Sequence, residues 1–341
     1  MEKRIQYGRP FGRWWMSGAV TLGLLTLVPL AGASSWIPAK NVEIIVATGP
    51  GGGNDRAGRT VQNLLRELKL VNVTTTLVNK PGAGGVLGST YLNQHAGDAH
   101  YVSTSTPALL TTHITGRSDV TYTDVTPIAQ LYSESSVFLV KTGSSIQNAK
   151  DLIERIKRDS SGLTVTIGTS TANNNHIALG ALTQAVGGDT RKLKTVVFKS
   201  SSEATTAVLG GHVDLAIVAA SSHRKQVEAG NMKVLAVASP QRLPGTYANV
   251  PTWKELGVNV VSAYWIGIIG PRGLSQSQTE FWDRTFGTLA RSEEWKNYLN
   301  ENGLEDAYMD SQASRRFLDS QYKSYKEALT SLGLAKTSVP R

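Results

Sequence analysis

The chain has 341 residues, no cysteine and a formal net charge of +9 at neutral pH. The missing cysteines exclude a disulfide framework, a thiol nucleophile and a lipid-anchoring cysteine. The positive excess is spread thinly, with no long Lys/Arg run and no basic stretch interleaved with aromatics, which argues against nucleic acid and suits small anions.

Residues 1–33 stand apart from the rest. Lys3, Arg4, Arg9 and Arg13 form a basic start, residues 14–30 are largely apolar, and Ala31-Gly32-Ala33 follows the small-x-small cleavage pattern. This is the three-part layout of a signal peptide. The apolar core is shorter than the roughly 20 residues a membrane span needs, so cleavage after Ala33 is expected rather than a retained anchor. Arg9 and Arg13 are separated, which points to the general secretory route. Cleavage would leave 308 residues with a charge of +6. That length suits about two domains and sizeable cores. The expected product is a soluble periplasmic protein with no lasting membrane insertion.

Strand and helix patterns then alternate. Residues 42–47 read as a strand, and residues 55–70 carry Ala57, Val61, Leu64, Leu65 and Leu68 at helical spacing. A β-branched strand over 74–78 leads to the loop 79–85, a helix at 86–93 and a short strand at 101–104. Strand-like stretches lie on either side of residues 133–136. In the second half, a helix at 149–158, a strand at 164–169, the polar loop 170–175 and a helix at 176–186 follow. Strands at 193–198, 213–219 and 232–238 alternate with helices at 203–209 and 224–229. A short helix is expected at 253–256 and a strand at 262–270. Residues 276–334 read as two or three helices with no strand between them. The pattern predicts an α/β architecture with parallel-rich sheets. No linker, repeat or low-complexity segment separates the halves, as expected if the chain crosses between two lobes more than once.

Three loops carry the chemistry. The first, Gly49-Pro50-Gly51-Gly52-Gly53-Asn54-Asp55, joins a buried strand to a helix. Such a junction aims unpaired backbone N–H groups and the positive end of a helix dipole at one point. Glycines admit close approach, and Asn54 or Asp55 is of the type that caps a helix. A tight turn without ligand is the plainer alternative, but three consecutive glycines exceed what a turn needs. The second loop, 79–85, combines Pro81 with three glycines and fits structural support or ligand contact equally. The third, Gly168-Thr169-Ser170-Thr171-Ala172-Asn173-Asn174-Asn175-His176, sets hydroxyl and amide side chains before another helix. It fits either ordinary capping by Asn173 or Asn174, or the second jaw of an anion clamp. Nucleotide patterns fail: the G-x-G-x-x-G frames end on Asn54 and Leu87, and no Walker sequence occurs.

Catalysis and metals find little support. There is no Gly-x-Ser-x-Gly elbow. His95, His100, His113, His176, His212 and His223 contain no pair at i, i+4, so no metal site is expected. No cofactor is expected. Tyr264-Trp265 opens an apolar strand and would pack at a junction or wall a ligand.

These segments carry a resemblance. "VEIIVATGPGGGNDRAGR" (42–59), "LVNKPGAGGVLG" (77–88) and "GTSTANNNHIALGAL" (168–182) resemble, in order, signatures of the Bug family, the substrate-binding proteins of tripartite tricarboxylate transporters. "LGGHVDLAI" (209–217), "AGNMKVLAVASPQRLPG" (229–245), "NVPTWKELG" (249–257) and "YWIGIIGPRGL" (264–274) continue the register, over residues 37–333 in all. The resemblance implies a type II periplasmic binding fold that closes on a small organic carboxylate, with lobe 1 at 36–131 plus 245–341 and lobe 2 at 132–244. It implies ligand contacts at Gly51, Gly52, Gly53, Asn54 and Asp55, and at Ser170, Thr171, Ala172, Asn173, Asn174 and His176, largely through backbone N–H groups and ordered water. Ala220 and Ser221 would border the cleft, and Lys199 matches a nearby lysine. Transporter membrane subunits are the implied partners, the protein being a monomer and not an enzyme. Departures at Thr48 and Gly49, and at residues 96–101, leave the ligand's identity open. A sensor subunit reporting to a signalling partner and a secreted hydrolase are the rival readings.

Overall fold

The structure of the protein, a computed structural model, describes residues 35–168, 171–198 and 201–336, the side chains of Ser201 and Ser202 excepted. The expected leader, Ser170 and Lys199 lie outside the described residues.

The chain runs through β1 (Val42–Val46), α1 (Gly53–Glu67), β2 (Thr75–Asn79), α2 (Val86–Asn93), β3 (Tyr101–Ser105), α3 (Ala108–Ile114) and the long β4 (Val125–Lys141). Then come α4 (Ala149–Arg158), β5 (Thr164–Thr166), α5 (Asn174–Ala185), β6 (Lys194–Val196), α6 (Ser201–Leu209), β7 (Leu215–Ala219), α7 (Ala220–Glu228) and β8 (Met232–Val237). β9 (Ala263–Pro271), α8 (Gln276–Arg291), α9 (Glu293–Asn302), β10 (Glu305–Met309) and α10 (Ser311–Ser331) follow.

Ten described strands form one sheet, eight of them in the order β2-β1-β3-β9-β4-β7-β5-β6, with β8 and β10 paired to β4 off this path. Parallel pairing is found in the two wings, β2-β1-β3 and β6-β5-β7. Around β4 and β9 the pairing is antiparallel. The α/β, two-lobed binding-protein architecture is therefore present, with its parallel strands outside and its antiparallel strands in the middle.

β4 joins the halves. Its residues 125–135 pair with β9, and residues 136–141 pair with β7 and β8. The polar run 133–136 does not interrupt it, contrary to the sequence expectation. Its hydroxyls find partners in other elements: Ser135 Oγ donates to Glu305 Oε1 at 2.6 Å, and Ser136 Oγ to Asn175 Oδ1 at 2.8 Å. Satisfied polar groups do not end a strand.

Helices cover both faces of each wing. Ala57, Val61, Leu64 and Leu65 of α1 bury the stripe their spacing promised, against a cluster with Ile44, Val102, Trp282, Phe286 and Trp295. On the other face, Ile45 packs with Leu110, Leu318, Tyr325 and Leu329. In the second half, Phe138, Leu152, Leu179, Ile217 and Trp253 form one cluster, and Val137, Val208, Val218 and Tyr247 another. Each such side chain contributes about 1.5–3 kcal/mol through burial.

Three further expectations are corrected. β10 is a strand where only helices were expected; it pairs Glu305 with Ser133 and Asp306 with Tyr132 on β4. The short helix expected at 253–256 is a run of turns, closed by Glu255 accepting from the Thr252 N–H. α7 begins at Ala220, four residues before the predicted start, so Ala220 and Ser221 form its first turn.

Candidate functional site

The first loop leaves β1 at Val46 and enters α1 through Gly52, which caps the helix without a side-chain hydrogen bond. Gly51 has φ +85°, which only glycine adopts without strain. A Cβ at Gly49, Gly51 or Gly52 would meet nothing within 4 Å. Packing therefore gives no reason for glycine at Gly52; its absent side chain leaves space outside the protein.

Not every N–H of this loop is free. The Gly51 N–H donates to Asp55 Oδ2 at 2.9 Å, and so does Arg59 Nε at 2.9 Å. Asn79 Nδ2, from the end of β2, donates to Asp55 Oδ1 at 2.8 Å and to the Thr48 carbonyl at 2.9 Å. Asp55 is only 1% exposed. Burial opposes its ionisation, but the hydrogen bonds from Arg59, Gly51 and Asn79 outweigh it and hold the carboxyl at about 2. Asp55 is thus a strut beneath the loop, tying the first loop to the second. The N–H groups of Gly52, Gly53 and Asn54 have no acceptor among the described residues.

The third loop is braced more heavily. Asn173 Oδ1 accepts the His176 N–H at 2.9 Å, and the Ala172 N–H donates to His176 Nδ1 at 3.2 Å. That bond puts the imidazole proton on Nε2. Burial pushes the His176 pKa down, so the ring is a neutral brace. Asn174 Nδ2 donates to Ser136 Oγ at 3.1 Å, and Ser262 Oγ to the Asn174 carbonyl at 2.9 Å. Capping by Asn173 is therefore real. It leaves the N–H groups of Asn174 and Asn175 without an acceptor among the described residues.

The two loops meet across a cleft of about 450 Å³. Thr48 and Gly49 border it on one side; Thr171, Ala172, Asn173 and Asn174 border it on the other. The second loop supplies Pro81, Gly82, Gly84 and Gly85 to its wall. Gly82 and Gly88 are packing glycines, where a Cβ would fall 2.4 Å from Leu87 Cδ1 and 2.6 Å from Ala47 Cβ. Beneath lies a polar chamber of about 40 Å³ lined by Asn54, Thr104, Ser105 and Thr106. Asn54 Oδ1 and Ser105 Oγ are buried there without a partner among the described residues. The chamber has room for about one water.

Of the expected contacts, Gly51, Gly52, Gly53, Asn54, Asp55 and His176 do not line this cleft, and neither do Ala220 and Ser221. The Ser221 N–H donates to Glu134 Oε1 at 2.7 Å, and Tyr247 Oη donates to the Ala220 carbonyl at 2.6 Å. Ser221 instead borders a cavity of about 700 Å³ together with Arg56. Asn54 lines the chamber on one side and Arg56 the cavity on the other, so the first turn of α1 stands between the two spaces. Glu134 is buried; desolvation pushes its pKa up, against the hydrogen bonds from Ser221.

Sequence reasoning missed Thr106 and Arg117, which line the cleft, and the buried Glu134. Glu134 lies in a Ser-Glu-Ser-Ser run, which gives no sign that its carboxylate is buried. Tyr264, weighed as a ligand wall, does line the cleft. Among the described residues no cluster of three His, Asp or Glu side chains forms a metal site, and no helix is long and apolar enough to cross a membrane.

Comparison with known proteins gives this geometry its relatives. The "UPF0065 protein in gbd 5'region" of Cupriavidus necator is 24% identical over 321 residues, covering 94% of this chain and 95% of that one. A TctC solute-binding protein from Polaromonas superposes with a TM-score of 0.74 at 24% identity, covering 86% of this chain and 99% of the other. A protein of R. palustris solved with adipate gives a TM-score of 0.74 at 21% identity, covering 87% and 99%. This is the fold of these solute-binding proteins. The profile of TctC, the tripartite tricarboxylate transporter family receptor, matches residues 58–334, starting just past the first glycine loop, and the chain belongs to that family.

Proposed function

We propose that the protein is an exported, periplasmic receptor that captures a small organic carboxylate between two lobes and delivers it to transporter membrane subunits. One observation carries this reading. Thr48 and Gly49, which lead into α1, and Thr171–Asn174, at the start of α5, border the same cleft, and both helices begin with N–H groups that lack an acceptor among the described residues. Each helix end favours an anion by about 0.3–1 kcal/mol when exposed and up to about 2 kcal/mol when partly buried. A carboxylate held by dipoles rather than by a salt bridge is released readily, as delivery requires. The R. palustris relative solved with adipate supports a carboxylate as the ligand class.

In this reading closure of the lobes brings the backbone of Gly52, Gly53 and Asn54, together with the loop 171–175, onto the ligand. Asp55 and His176 hold those contacts in position. The lobes exchange chain at Ser135-Ser136 in β4 and near Ser262. Trp253 and Val260 pack with Phe138 and Leu152, so the stretch before Ser262 goes with the second lobe. The leader over 1–33 directs export, and the receptor acts as a monomer.

The test is thermal unfolding of the cleaved chain with a panel of organic acids, their amides and uncharged sugars. A ligand at 100 times its Kd should stabilise the fold by about 2.7 kcal/mol. Stabilisation by acids alone is the expected result. A response limited to sugars would overturn the reading.

A further inference from the structure

The wall of the cleft carries one charged side chain among the described residues, Arg117. The way α3 ends puts it there. Thr115 caps the helix, and Gly116 follows with φ +73°. The Gly116 N–H donates to the His113 carbonyl at 2.9 Å, and the Arg117 N–H to the Thr112 carbonyl at 2.8 Å. This pair of bonds is a Schellman closure, which fixes the backbone at Arg117. The tail beyond α10 seals the turn. The Lys336 N–H donates to the Ile114 carbonyl at 2.8 Å, and a Cβ on Gly116 would fall 2.7 Å from Lys336 Cδ.

The nearest acid in sequence lies elsewhere. Asp119, with Gly116 and Ser118, borders a separate cavity of about 600 Å³, whereas Arg117 borders the cleft. No carboxylate comes within 4 Å of the Arg117 guanidinium among the described residues. Its Nε donates to Thr115 Oγ1 at 3.1 Å, and its two terminal nitrogens have no acceptor among the described residues. A cation just past a helix is ordinarily explained by the helix dipole, but this side chain bonds none of the last carbonyls of α3 and is exposed. An exposed charge at a rim acts on the rate of arrival more than on residence. With no acid on the same wall, its field is not cancelled at short range.

We propose that Arg117 is the steering residue of the cleft: its charge draws anionic solutes in and repels cationic ones, while the helix ends do the holding. The proposal rests on the carboxylate reading for the sign of the solute and adds the residue that sets its entry. Such a division makes capture fast without making release slow.

The chain has no cysteine, so Gly49→Cys places a single thiol on the cleft wall, where a Cβ meets nothing within 4 Å. Its reaction rates with the anionic sulfonatoethyl and the cationic trimethylammonioethyl methanethiosulfonates read the local potential. Adding Arg117→Gln should lower the anionic-to-cationic rate ratio about threefold in about 10 mM salt, the Coulomb effect of one unit charge acting over about 10 Å in water. The fall should disappear at about 1 M salt, where the Debye length is about 3 Å. Adding Arg117→Lys should leave the ratio near its starting value. An unchanged ratio in Arg117→Gln, or a fall that high salt does not reduce, would overturn the proposal. In the chain without the thiol, stopped-flow binding of adipate should show association slowed about threefold by Arg117→Gln, with dissociation changed by less than about twofold. A change confined to dissociation would make Arg117 a holding contact and overturn the steering role. Failure of adipate to bind would count against the carboxylate reading, while the thiol rates still decide the role of Arg117.

Discussion

Asp55 accepts three hydrogen bonds through its two carboxylate oxygens, from Gly51, Arg59 and Asn79. Its folded pKa, about 2, lies below the ordinary 3.8. The linked stability is therefore present above the unfolded value and is lost as pH falls from near 4 through 2. For this gap the contribution is about 2 kcal/mol. Asp55→Asn should flatten that part of the acid-unfolding curve, measured by urea unfolding at a series of pH values. Asp98 is also held near 2, its burial outweighed by hydrogen bonds from Lys40 and His100, and should preserve some acid dependence in the variant. An unaltered curve would mean that the strut does not tighten the folded loop. The sequence marked Asp55 as important but not its direction. A carboxylate at a helix start fits a cap, a ligand contact or a strut. Asn79, 24 residues away, decides among them.

The amino end of α1 raises the same question one level up. Gly52 has φ −78° and ψ 171°, an extended conformation that any residue adopts, and open space where its side chain would be. Gly52→Val should therefore fold with an unchanged melting temperature while weakening carboxylate binding at least about tenfold, through lost approach to the N–H groups. Calorimetry on the folded variant reads this, and unchanged affinity would remove the loop from the site. The loop was legible because strand, glycines and helix stripe are local signals. β10 was not, because Glu-Asp-Ala-Tyr-Met has no apolar alternation and becomes a strand only by pairing with β4. β4 misled in the opposite sense. Its Ser-Glu-Ser-Ser run reads as a break, yet Glu305, Asn175 and the Ser221 N–H supply partners from three other elements.

At the scale of the whole molecule, the proposed function needs a hinge and a reason to close. β4 crosses from one wing to the other at Ser135-Ser136, and Ser262 bonds back to Ala238 and to the start of α5. Few strands cross there, so bending would strain little of either core. Only a solute that binds the closed form more tightly can drive closure. The radius of gyration from X-ray scattering should fall when a bound carboxylate saturates the protein and stay constant with its uncharged amide. A constant radius in both would mean that capture occurs without lobe movement. The amino-acid sequence by itself determined the alternation of strand and helix, the glycine loop at a helix start and the family signatures. These are local patterns, set by the periods 2 and 3.6 and by glycine's conformational freedom. The tertiary structure alone decided that Asp55 and His176 point inward, that Ser221 answers to Glu134, and that Arg56 borders one cavity with Arg224 and Lys225. Those outcomes depend on contacts between residues far apart in the chain, which no local pattern encodes.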